Sequence, residues 1–162
     1  ALHLAMQYLP LDTDTPERAA AELERLVSGG FLTPQQGEAV DPAKIAAFFA
    51  SPLGRELMAS TSLRREFKFS ILVPAADYYP QAGAEEQVLL QGVVDCCFET
   101  ADGLTVVDFK TDRVFSALEV RQRAEHYRPQ LEAYSRALER VLEKKVVRRA
   151  LYFLAAGETM EI

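Results

Sequence analysis

Asp95, Asp108 and Lys110 are charged residues set in two runs that are otherwise apolar, and they are the positions where this sequence could do chemistry. Gln87 to Phe98 and Leu104 to Lys110 are rich in the residue types that strands favour. The segment between them holds Asp102-Gly103, a dipeptide preferred in type I′ hairpin turns. A turn centred on that dipeptide pairs Asp95 with Lys110 and Cys97 with Asp108. Asp108 and Lys110, two residues apart, then share a face, and Asp95 joins them opposite Lys110 and diagonal to Asp108. Facing side chains lie roughly 4.5–5.5 Å apart at Cβ and diagonal ones about 7–8 Å, which lets two carboxylates share one hard cation with an ammonium beside them.

Taken alone, Asp-x-Lys on a strand is an ordinary salt-bridged, solvent-facing pattern. Here the opposite face carries Val94, Cys96, Phe98, Val107 and Phe109, and the charged face also carries Val93, Cys97 and Val106, so both faces read as buried. Carboxylates in such a place need a cation or full pairing, because burying them uncompensated costs several kcal/mol. Two carboxylates suit Mg²⁺, with Mn²⁺ as the alternative, and leave positions open for water and phosphate. A cation there would acidify a water, and Lys110 would orient that water or stabilise charge on the phosphate. The chemistry implied is hydrolysis of a phosphodiester.

The elements that must position these residues can be read from caps and periodicity. An apolar helical stretch from Leu2 to Leu9 stops at Pro10. Thr15-Pro16, Asp41-Pro42 and Ser51-Pro52 each pair a capping side chain with a proline at the first helical position. The first third is therefore helical. Phe67, Phe69 and Ile71 alternate with Glu66, Lys68 and Ser70, the two-residue period of a half-buried strand. Ser116 with Glu119 resembles a capping box for a short helix. Pro129 suits the first turn of a second one, faced by Leu131, Tyr134, Leu138, Val141 and Leu142. Val146 to Leu154 reads as a strand returning parallel to the hairpin, so the expected fold is α/β, a mixed sheet with an antiparallel hairpin flanked by helices.

Length and composition fit one domain over residues 1–162, with 49% hydrophobic and 26% charged residues. No run of about 18 apolar residues could span a bilayer, so no membrane role is expected. The opening Ala1-Leu2-His3-Leu4 has neither an initiator Met nor the pattern of a signal peptide, and reads as a cut through a longer polypeptide. The two cysteines, Cys96 and Cys97, are adjacent within a strand, which suits neither a disulfide framework nor a metal knuckle and points to a reducing cytoplasm. A net charge of −6 argues against a general polyanion binder, unless a metal supplies the positive charge or neighbouring domains bring the substrate in.

Gly92-Val93-Val94-Asp95, then Asp108-Phe109-Lys110, then Gln130-Leu131-Glu132-Ala133-Tyr134 resembles the PD-(D/E)XK nucleases of the RecB-like branch, with their restriction-endonuclease-like core. The likeness is greatest to the nuclease domains at the C-terminus of AddA subunits in bacterial AddAB helicase-nucleases, where a helical histidine precedes the hairpin as His3 does here. Met6 stands where Leu is more usual, and the residues leading into the histidine motif are missing. The resemblance implies a metal set of His3, Asp95 and Asp108, with Lys110, Gln130 and Tyr134 completing the site. By residue type alone, His3 would be a core or surface histidine and Tyr134 a core residue. On the family pattern Gln130 bonds near the metal or the DNA backbone and Tyr134 buttresses it, while Glu66 is either a solvated glutamate or a further acidic site residue. His126 reads as a surface residue between two helices, and Arg113, Arg121, Arg123 and Arg128 as a solvated face or phosphate contacts. No iron–sulfur cluster is expected, since two adjacent cysteines cannot supply its four ligands.

The implied function is a Mg²⁺-dependent deoxyribonuclease, an exonuclease on single-stranded DNA with an endonucleolytic mode left open. A motor would deliver that DNA: helicase domains of the same parent chain, working with an AddB-type partner subunit in double-strand-break repair. An inactive scaffold or DNA-guiding module is the alternative from another class, and would be expected to lack Asp95, Asp108 or Lys110. A stand-alone RecB-like exonuclease is the third reading, disfavoured by the missing cysteine cluster and the abrupt start.

Overall fold

A computed structural model describes all 162 residues. Five helices come first: α1 (Leu2–Tyr8), α2 (Pro16–Ser28), α3 (Pro34–Glu38), α4 (Pro42–Ala50) and α5 (Pro52–Ala59). The side chains of Thr15, Thr33, Asp41 and Ser51 accept backbone N–H bonds at the starts of α2 to α5, each followed by a proline whose missing N–H costs nothing there. Then come β1 (Arg64–Pro74), β2 (Gln87–Thr100), β3 (Gly103–Lys110), α6 (Ala117–Leu142), β4 (Val146–Phe153) and β5 (Glu158–Glu161). The strands form one sheet in chain order, antiparallel except for the β3–β4 pair, which is parallel across the α6 crossover. No helix is long and apolar enough to cross a membrane.

Each face of the sheet is covered. Cys96, Phe98, Val107, Phe109, Ala150 and Tyr152 pack against the N-terminal helices through Leu9, Leu26, Phe48 and Phe49. On the other face Cys97, Leu104 and Val106 meet Ala137 and Leu138 of α6, and Leu151 and Phe153 meet Val120, Ala124 and Leu131. Residues Leu104 to Phe109 of β3 are buried without a break, which is why both faces of that run are apolar apart from its charges.

The structure corrects three details. The hairpin turn falls on Ala101-Asp102, with Thr100 opposite Gly103 and Cys96 opposite Val107, so the register lies two residues from the expected one. Neither turn residue has the positive φ that a type I′ turn requires. Gly103 instead opens β3 at φ 147°, where a Cβ would stand 2.5 Å from the Lys145 carbonyl; close approach to the β4 lead-in is what the glycine permits. Continued past Cys96–Val107, this register would set Asp95 level with Asp108 rather than with Lys110, but the ladder ends before reaching them. Secondly, the two helices expected around His126 are one helix of 26 residues with Pro129 inside it. Pro129 sits on the exposed side, and the buried stripe of Val120, Ala124, Leu131, Ser135 and Leu138 runs past it unbroken, so packing outweighs the lost backbone bond. Thirdly, β5 and the short α3 have no counterpart among the expected elements; four and five residues are too few to show a period.

Candidate active site

The β2–β3 ladder stops at Cys96–Val107, and Asp95 lies just beyond, where the strands part. The β1–β2 ladder skips the same place, stepping from Arg65–Cys96 to Phe67–Val94 and leaving Glu66 and Asp95 unpaired. Val94 packs on the α6 side and Cys96 on the N-terminal side, so the strand changes face at Asp95. Glu66 takes a left-handed φ of 49° there, a conformation that costs a non-glycine residue about 1–2 kcal/mol. Freed from the ladder, Asp95 Oδ2 accepts the Phe109 N–H at 2.7 Å.

α1 lies against this opening. His3 Nε2 donates to the Phe109 carbonyl at 2.9 Å and stands 3.4 Å from Asp95 Oδ2, so the structure brings His3 to the carboxylates, with that nitrogen engaged by main chain. α1 is held from below by Arg65, whose guanidinium donates to the carbonyls of Met6, Gln7 and Leu9. Desolvation, then the neighbouring Asp108 charge, pushes the Asp95 carboxyl up to about 6; the Phe109 bond and His3 oppose the rise and Glu66 adds to it.

Asp108, next to Phe109 on β3, is almost fully buried. The Lys110 ammonium stands 2.5 Å from its Oδ2, yet outside hydrogen-bonding alignment, so that buried oxygen has an ion-pair neighbour and no aligned donor. Lys110 is itself only 11% exposed. From α6, Gln130 Oε1 lies 3.4 Å from Lys110 Nζ, and Gln130 Nε2 donates to the Tyr134 hydroxyl at 3.1 Å. The Tyr134 ring stacks edge-on against Phe69 at 5.3 Å and closes over Gly92, where any Cβ would strike both rings. Tyr134 is thus both a packing residue and a support for Gln130.

Asp112 and Tyr127, not assigned to the site from sequence, adjoin it. The Tyr127 ring lies 3.7 Å from Lys110 Nζ, and its hydroxyl donates to both Asp112 oxygens at 3.2 and 3.0 Å. A signal existed: Asp112 continues the alternation of Asp108 and Lys110, and Tyr127 precedes Gln130 by three positions on one helix. Arg123 is paired with Asp112 and Arg128 with Glu125, while Arg113 and Arg121 are exposed. His126 is exposed beside Tyr127.

The donor set can be tested against a divalent cation. No group of three or more His, Cys, Asp or Glu side chains stands placed to hold a metal ion as the side chains lie. Two neighbouring carboxylates, one with a buried oxygen lacking an aligned donor and one pushed toward its neutral form, are nevertheless short of positive charge in a way a hard cation would relieve. The residues fit such an ion with open positions left for water and phosphate. Cys96 and Cys97 face opposite cores, away from that opening, and burial raises both thiols, Cys97 to about 11 and Cys96 further.

The profile of the PD-(D/E)XK nuclease superfamily matches residues 1–161. The chain is also similar to the A subunits of ATP-dependent helicase/nucleases. It is 39% identical to that of Desulforudis audaxviator, with all of this chain covered. It is 40% identical to that of Acetivibrio thermocellus over 98% of the chain, and 42% identical to that of Pelotomaculum thermopropionicum over 97%. The chain spans only 13%, 13% and 12% of those proteins' lengths.

Proposed function

The chain belongs to the PD-(D/E)XK nuclease superfamily, and from that premise we propose that it is the nuclease domain of an AddA-type helicase-nuclease that hydrolyses single-stranded DNA. What carries the reading is the convergence of Asp95, Asp108 and Lys110 at the point where β2 and β3 part, with one carboxylate oxygen left without an aligned donor. The names and lengths of the relatives support a domain within a longer chain that also carries helicase domains. A cytoplasmic setting, a partner of the AddB type and exonucleolytic cutting during double-strand-break repair belong to the same proposal. Delivery by a tethered motor raises the local substrate concentration, which offsets the weak attraction of DNA to a chain of charge −6.

Asp95 and Asp108 would hold Mg²⁺ or Mn²⁺, with His3 as a third ligand once its Nε2 leaves the Phe109 carbonyl. Such an ion supplies Lewis acidity to a phosphoryl oxygen and lowers the pKa of the attacking water. Lys110 contributes a fixed positive charge where negative charge gathers on the phosphate. Gln130 keeps that ammonium turned into the opening, and Tyr134 keeps Gln130 in its rotamer. The phosphorus exchanges its bond to one sugar oxygen for a bond to the water oxygen, and the departing oxygen takes up a proton.

Labelled single-stranded DNA incubated with the chain in Mg²⁺, Mn²⁺ or EDTA, beside Asp108→Ala and Lys110→Ala, tests this. Cutting is expected with either metal and a loss of at least about a hundredfold in each variant. Cutting that survives EDTA, or either substitution, would overturn the assignment.

A further inference from the structure

Lys110 has three neighbours, and they differ in how they respond to a bound cation. One is a full charge, Asp108 Oδ2 at 2.5 Å; the others are neutral, Gln130 Oε1 at 3.4 Å and the face of Tyr127 at 3.7 Å. A divalent ion on Asp108 shares the carboxylate that attracts the ammonium and also repels the ammonium directly. The neutral partners keep their attraction. A ring quadrupole needs no carboxylate lone pair, and it acts strongly on an ammonium removed from water, as one that is 11% exposed is.

The Tyr127 ring is itself anchored. Its hydroxyl donates to both oxygens of Asp112. Asp112 follows Lys110, the last residue of β3, by two residues, is 16% exposed, and is also paired with Arg123 Nε at 3.1 Å. Arg123 stands four residues before Tyr127 on α6, so helix and strand exit are tied twice across the same gap.

We propose that Tyr127 and Asp112 are positioning residues that hold Lys110 in the site when Asp108 is occupied by a cation. This rests on the nuclease reading above. Asp112 orients Tyr127, Tyr127 presents its ring face to Lys110, and the ammonium stays at the opening instead of swinging out to solvent as the cation binds.

The test uses Tyr127→Phe, which keeps the ring and loses the anchor, Tyr127→Leu, which loses both, and Asp112→Ala. Steady-state cutting of single-stranded DNA is expected to show kcat about tenfold lower in the Leu variant, with KM within about twofold and the Phe variant within about threefold of wild type. NMR supplies a readout that needs no turnover: the Lys110 ε protons should be shifted upfield by the Tyr127 ring current in wild type, less so in both Tyr127→Phe and Asp112→Ala, which each lose the anchor, and not in Tyr127→Leu. In wild type the shift should persist as Mg²⁺ alone is titrated in. Wild type without the shift, loss of the shift on adding Mg²⁺, or a Leu variant with wild-type kcat would each overturn the proposal. If wild type cuts and the Leu variant cuts equally well, the positioning role alone falls; if wild type cuts nothing with any metal, the nuclease reading falls and takes this role with it.

Discussion

With most of its surface out of water and Asp108 beside it, Asp95 is held up to about 6 against an ordinary value near 3.8. A raised carboxyl stabilises the fold only while protonated: its contribution is complete below the unfolded value and is lost as pH rises through the folded one. Without added metal, the stability of wild type relative to Asp95→Asn should therefore fall between about pH 4 and pH 6 and stay level above. The asparagine still offers an oxygen to the Phe109 N–H, so at pH 7 the variant should be the more stable, by on the order of 1–3 kcal/mol in urea titrations. It should cut no DNA, and Mg²⁺ should raise its Tm less than that of wild type. A variant less stable than wild type at pH 7 would mean that the Asp95 charge is already compensated in the fold. Stability given up at one position for a site that needs charge is the trade expected of a functional residue.

Among the α-helices, α1 alone lacks a capping side chain at its start. It has seven residues, no side-chain cap and two buried side chains, Ala5 and Met6. An isolated helix of that length does not form in water, so its place depends on tertiary contacts. Arg65 supplies several at once by filling the last carbonyls of the helix from β1. Arg65→Ala should cost about 2–3 kcal/mol and release the end of the sheet opening that His3 occupies. Arg65→Lys, a point charge in place of a fork, should recover only part of that loss. Hydrogen exchange of the α1 amides would report the release; exchange equal to wild type would show that apolar packing alone holds the helix. α6 is the opposite case, long enough and packed enough to carry Pro129 in its interior.

At the scale of the whole molecule, the net charge of −6 sits on a protein whose proposed substrate is a polyanion. Several cations that could meet phosphate are engaged elsewhere: Arg123 by Asp112, Arg128 by Glu125, and Arg148 by Glu56 and Glu161. DNA binding by the isolated chain should then be weak and only mildly salt-dependent. For Asp108→Ala in Mg²⁺, fluorescence titrations with single-stranded DNA should give a log K against log salt slope of magnitude about 2 or less, the release of ions from about three phosphates or fewer. A slope of about 4 or more would reveal a basic track and overturn this expectation.

Much of this was legible in the chain because it depends on near neighbours. Capping side chains followed by prolines mark the starts of α2, α4 and α5, since the bonds they make span two or three residues. The common face of Asp108 and Lys110 follows from the two-residue pleat of one strand alone, and does not depend on the hairpin register. Other features depend on distant partners. The hairpin register answers to the Lys145 carbonyl against Gly103, and the continuity of α6 past Pro129 to a stripe buried on the sheet. His3 meets Phe109 across 106 residues, a contact no local pattern encodes. The sequence by itself thus determined the elements and the residues able to do chemistry, because propensity and periodicity are local. Only the tertiary structure decided which of those residues meet, because that is set by how separate apolar faces are buried against one another.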